Sequence, residues 1–176
     1  ISGHAGSLET EILSSPDAYS LDVAIEMPLP CSITHGQHSS AGHYSLVAFE
    51  GITHLVLWDL AVDVSNLALG KALARQLGIS GGDYGLMFMA AARHTLTPWV
   101  RVAQTATEVW ERSCGSGTAA VACALAHRDG HGVNSLTLSQ PGGSLTASAT
   151  LEDGKITSAT LSGAIALVSY GYTIID

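Results

Sequence analysis

The sequence predicts an α+β fold in which an antiparallel sheet system wraps around one central buried helix. Three observations lead there. A run of small apolar residues from Gly115 to about His127 reads as a helix with no solvated face. The chain beyond it is strand after strand, divided by the turn sequences Gln140-Pro141-Gly142-Gly143 and Glu152-Asp153-Gly154-Lys155. Only one other helix, over residues 66–77, interrupts the strands that come before.

Taken in order, residues 7–13 and 19–27 are expected as strands, the second because Leu21, Val23, Ile25 and Met27 alternate with Asp22, Ala24 and Glu26. Ser14-Ser15-Pro16-Asp17 reads as the turn between them. Pro28-Leu29-Pro30 cannot continue a ladder and marks a domain boundary, followed by a polar, histidine-containing loop over 31–42. Strands are expected over 44–49 and 53–58, joined tightly at Glu50-Gly51. In the helix over 66–77, Leu67, Leu69, Ala72, Leu73 and Leu77 share one face, Ser65 caps it and Gly78 ends it. Short strands follow near 84–89, 99–104 and 108–112, then the buried helix, then strands over 134–139, 144–151, 156–161 and 166–174.

Composition narrows the function classes. The 176 residues are 47% hydrophobic and only 12% charged, which suits a globular chain. A net charge of −8 with seven Lys and Arg in all argues against nucleic acid or an anionic membrane as partner. No apolar run reaches the roughly 18–20 residues of a membrane span. The three cysteines, Cys31, Cys114 and Cys123, form no regular framework and suggest a reducing, cytoplasmic setting. His35, His38 and His43 have no compact zinc spacing, so no metal is expected there. Cys123 and the tryptophans Trp58, Trp99 and Trp110 read as packing residues.

The chemistry lies in Val109-Trp110-Glu111-Arg112-Ser113-Cys114-Gly115-Ser116-Gly117. A thiol here ends a strand, and a Gly-Ser-Gly turn opens the buried helix behind it. Helix-start amides have no intrahelical acceptor and suit a carboxylate. The same helix end is expected to stabilise a thiolate, bringing the thiol from about 8.5 into the ~3.5–7.5 range.

These residues resemble those of the cofactor-independent diaminopimelate epimerases, proline racemases and related amino-acid racemases. Gln140-Pro141-Gly142-Gly143-Ser144-Leu145, Leu161-Ser162-Gly163-Ala164 and Tyr170-Gly171 follow in the order that family shows, and Gly51-Ile52-Thr53-His54 stands where it has Gly-Asn-Pro-His. The resemblance implies a diaminopimelate epimerase-like fold with two pseudo-symmetric halves and no pyridoxal cofactor. It implies a two-thiol acid/base mechanism, since inversion needs a proton removed on one face and returned on the other. By that resemblance Cys114 is one thiol, and the amides of Gly115 and Ser116 hold the substrate carboxylate. Glu111 binds the substrate ammonium or assists Cys114, Arg112 binds a carboxylate-bearing part of the substrate, and His54 matches a histidine beside the other cysteine.

That other cysteine has no candidate here, since Cys31 lacks a Gly-rich helix start. The chain, which begins at Ile1, is therefore expected to be the second, C-terminal half of a longer protein. Residues 1–30 and the final strand over 166–176 would complete the other half's sheet, and 31–165 would form the catalytic domain. The second cysteine would come from the N-terminal half or a partner chain, and the resemblance also allows a homodimer. Ile52 stands where an epimerase has asparagine, so an amino acid other than diaminopimelate, such as histidine, is credible as substrate. Two other functions remain open: isomerisation of an unsaturated carboxylate on the same fold, and a non-catalytic amino-acid-binding module.

Overall fold

The computed structural model describes residues 7–172. Eleven strands form one sheet in the order β1-β2-β11-β10-β9-β7-β6-β5-β4-β3, with β8 paired to β7 alone. They are β1 (Thr10–Asp17), β2 (Ser20–Glu26), β3 (Ser32–His38), β4 (Gly42–Phe49), β5 (Ile52–Trp58), β6 (Tyr84–Ala90), β7 (Thr95–Val102), β8 (Thr107–Trp110), β9 (Val133–Gln140), β10 (Gly143–Glu152) and β11 (Lys155–Ala166). Two helices accompany them, α1 (Val64–Gln76) and α2 (Gly115–Asp129). All pairings are antiparallel except β5 with β6 and a single contact of β7 with β9.

Two apolar layers hold the elements together. The larger lies between α2 and the sheet face that curves around it, and contains Val56, Met87, Leu96, Leu138, Ala147 and Ala159. The smaller lies between α1 and the opposite face, and contains Leu55, Leu57, Leu86, Phe88 and Trp99. β5 and β6 serve both layers, so His54, Val56 and Trp58 point to α2 while Leu55 and Leu57 point to α1. A strand buried on both faces reads as a continuous apolar run, which is what Leu55 to Trp58 shows. On α2, Ala119, Ala120, Val121, Ala122, Cys123, Ala124 and Ala126 are all buried, and their small side chains let strands approach the helix from several sides.

Several boundaries differ from the sequence reading. The stretch 31–42 is not a loop: Ser32–His38 pairs with β4 as the outermost strand, where polar side chains face water. Nor is Ser14-Ser15-Pro16-Asp17 a turn. β1 runs on to Asp17 with an irregular ladder, since an edge strand tolerates the missing N–H of Pro16. The cap of α1 is Asp63 rather than Ser65, its Oδ1 accepting from the Asn66 amide at 2.8 Å, so the helix begins at Val64. β11 is one long strand to Ala166, and no strand occurs over 167–172 where the last one was expected. The rest of that expected strand lies outside the described residues. The opening hairpin joins the same sheet, through β2 paired with β11.

One close approach fixes the seat of the site. Gly85 on β6 lies opposite His54 on β5, and a Cβ there would sit 2.5 Å from both His54 Nδ1 and Met87 Cε. His54 and Met87 are both fully buried and have no room to withdraw. Gly85→Ala is therefore expected to destabilise the fold by about 1–3 kcal/mol, measured by urea denaturation.

Candidate active site

β8 ends at Trp110, and a short linker carries the chain to Cys114, the N-cap of α2. The Glu111 amide donates to the Pro98 carbonyl at 3.0 Å, which fixes the linker's start against β7. The Gly142 amide donates to the Arg112 carbonyl at 2.6 Å, which ties it to the β9–β10 turn. Gly142 is needed at that turn, since a Cβ would lie 2.9 Å from the Arg112 carbonyl oxygen.

The helix start is satisfied only in part. Cys114 Sγ accepts the Gly117 amide at 3.4 Å and lies 3.7 Å from Ser116 Oγ. The Cys114 carbonyl accepts from the Thr118 amide at 3.0 Å. No acceptor among the described residues meets the amides of Gly115 and Ser116. These open on a cleft of about 330 Å³, lined by Glu111, Ser113, Cys114, Gly115 and Ser116 on one side and by Ile25, Met27 and Leu161 on the other. That volume is at the lower end for small-molecule sites. Such a cleft can seat one carboxylate on two amides with an apolar group against the β2–β11 wall.

The electrostatics reverse the expected state of the thiol. Burial pushes Cys114 up to about 12, and the Glu111 carboxylate facing it adds to the shift. The Gly117 amide and Ser116 hydroxyl lower it by less. Cys114 therefore rests as a neutral thiol beside a carboxylate rather than as the thiolate that the helix start suggested. Cys123 is also pushed up to about 12, by burial alone, in the core of α2.

The structure brings Glu111, Cys114, Gly115 and Ser116 together and leaves two expected residues out. Arg112 is exposed and does not line the cleft, because its peptide is turned to receive Gly142. His54 is fully buried beneath the site and reaches it only through Ser116, with Nε2 2.9 Å from Ser116 Oγ. Burial lowers it to about 4, so it is neutral, and its Nδ1 is without a partner among the described residues. An orphaned acceptor is more tolerable than an orphaned N–H, so Nε2 carries the proton and donates to Ser116. Of the histidines at which no metal was expected, His35 bonds Ser45 at 2.8 Å and His127 at 3.0 Å, while His38 Nδ1 accepts backbone amides. The sequence reading missed Ile25 and Leu161, which belong to distant strands, and Met27 just past β2, and missed Gln140 except as part of a turn.

Fold and site together define a class. A probable proline racemase from Agrobacterium radiobacter K84, with bound carbonate, matches at a TM-score of 0.58 and 13% identity, over 96% of this chain and 58% of that one. A phenazine biosynthesis protein of the PhzF family from Bacillus anthracis also matches at a TM-score of 0.58, with 10% identity, over 95% and 65% of the two chains. The fold is the mostly-sheet α+β fold of these proteins.

Within it, the chain belongs to the family described as "Histidine racemase CntK N-terminal domain", matched over residues 1–173. The "Histidine racemase" of Staphylococcus aureus (strain Mu50 / ATCC 700699) is 25% identical over 128 residues, 69% of this chain and 46% of that protein. The chain thus spans about half the length of this curated relative. The family's description names an N-terminal domain, whereas the sequence reading expected the C-terminal half.

Two measurements check the electrostatics. Because His54 is lowered from 6.5 to about 4, the unfolded chain binds the extra proton first as pH falls. Stability is expected to be fully present above pH 6.5 and to drop by about 3 kcal/mol through pH 4, a loss that His54→Gln removes from urea titrations. Glu111→Gln deletes the negative charge facing the thiol, so Cys114 alkylation by iodoacetamide at pH 8 should quicken, read by peptide mass spectrometry.

Proposed function

We propose that the complete protein containing this chain is a cofactor-independent amino-acid racemase or epimerase, with histidine as the substrate to test first. The observation that supports it is the meeting of a neutral thiol, a facing carboxylate and two unengaged helix-start amides on one small cleft. In this reading the Gly115 and Ser116 amides hold the substrate carboxylate and take up the charge that develops on it when the α-proton leaves. Cys114 gives its proton to the carbanion from one face. In the opposite direction Glu111 first takes the thiol proton, and the thiolate so formed removes the α-proton while Ser116 and Gly117 donate to its sulfur. The substrate side chain rests against Ile25, Met27 and Leu161.

The second acid/base is a cysteine from another part of the complete protein or from a partner chain. The surface beside the cleft supports such a neighbour. Ile12 and Leu13 on β1, Ile165 on β11 and Leu167 beyond it are exposed, on or next to strands continuous with the cleft wall. The family match and the histidine racemase relative support the substrate choice.

The test is α-proton exchange in D2O with the full-length protein and separate L- and D-histidine. Both enantiomers should incorporate deuterium, Cys114→Ala should abolish this for at least one of them, and Glu111→Gln should slow it by about 100-fold or more. Exchange confined to unsaturated carboxylic acids would replace racemisation with isomerisation. Tight amino-acid binding without any exchange would make the protein a binding module.

A further inference from the structure

We propose that Gln140 is a positioning residue that aims the Cys114 thiol by gripping the backbone on both sides of its Cα. The proposal rests on the racemase reading for its kinetic consequence, but its geometry stands apart from it. Gln140 is the last residue of β9 and only 9% exposed. Its Oε1 accepts the Cys114 amide at 2.8 Å, and its Nε2 donates to Thr118 Oγ1 at 2.9 Å. Thr118 Oγ1 in turn donates to the Cys114 carbonyl at 2.6 Å. One side chain, with one hydroxyl as intermediary, thus holds the N–H before the Cys114 Cα and the C=O after it.

The ring of bonds has one direction. A peptide N–H can only donate, so the amide oxygen of Gln140 must face Cys114 and its NH2 must face Thr118. Thr118 then accepts from Gln140 and has its own proton left for the carbonyl. Every member is buried, so no water competes, and each broken link leaves a buried polar group unpaired.

Two consequences follow for the site. The Cβ direction of Cys114 is fixed by its backbone, held at φ −132° and ψ 108°, so the clamp decides where the sulfur stands relative to a carbon in the cleft. The clamp also occupies the Cys114 amide and leaves the carboxylate cradle to Gly115 and Ser116, whose direction α2 itself sets. Loss of Gln140 is therefore felt in the proton-transfer step more than in substrate binding.

The experiment uses the full-length protein with Gln140→Leu, Thr118→Val and Thr118→Ser, reading exchange kinetics with histidine and the rate of Cys114 alkylation at pH 8. Gln140→Leu should lower kcat at least tenfold with KM within threefold of the unsubstituted protein, and should speed alkylation at least threefold as the sulfur leaves its buried position. Thr118→Val should shift both in the same direction, and Thr118→Ser should restore them. A lower melting temperature with unchanged kcat and alkylation, in either Gln140→Leu or Thr118→Val, would overturn the proposal and leave Gln140 as a helix-end partner only. If Gln140→Leu does not fold, Thr118→Val decides the matter, since it keeps the Gln140 bond to the Cys114 amide. If the unsubstituted protein exchanges no amino acid, the racemase reading fails, while the alkylation rates still support or refute the clamp.

Discussion

A helix that starts inside a folded sheet must do something with the N–H groups its first turn leaves unpaired. In this chain α2 is enclosed along nearly its whole length, and water cannot serve all of them. The structure gives the Gly117 amide to the Cys114 sulfur and the N-cap's own amide to Gln140. The amides of Gly115 and Ser116 go to the cleft. Alanines along α2 let the strands close around it, Gly85 lets His54 sit beneath its start, and Gly142 lets the β9–β10 turn close onto the linker.

That enclosure also decides the charge state of the site. A helix N-terminus favours a nearby anion by about 0.3–1 kcal/mol, and by up to about 2 kcal/mol in partly buried settings. The displacement of Cys114 from 9.0 to about 12 corresponds to about 4 kcal/mol in the opposite direction. Burial and the facing Glu111 therefore outweigh the helix end, and the thiol is a proton donor at rest. His54 obeys the same rule, since burial without a charged partner leaves it neutral and makes it a support for Ser116.

The wall opposite the helix start belongs to a different part of the chain. β2 supplies Ile25, Met27 follows directly after it, β11 supplies Leu161, and β11 runs on to the exposed Ile165. The cleft is thus bounded by α2 and its linker on one side and by the sheet's extension on the other. Its size and apolar character depend on how that extension is registered, with Leu161 opposite Ile25 in the β2–β11 ladder.

By itself the sequence determined the central helix, most of the strands, and the meeting of Glu111, Cys114, Gly115 and Ser116. Those features depend on neighbours within a few positions: small residues in a row, turn residues between apolar runs, and a Gly-Ser-Gly opening after a thiol. It misread the polar edge strand over 32–38 and the cap at Asp63, where backbone pairing and side-chain reach overrode composition. Tertiary structure alone decided that Arg112 turns away, that His54 lies beneath the site, that Gln140 reaches Cys114 across 26 positions, and that the thiol is neutral. Each of these depends on which distant strand lies alongside and on how much water remains between the elements, and a linear pattern carries neither.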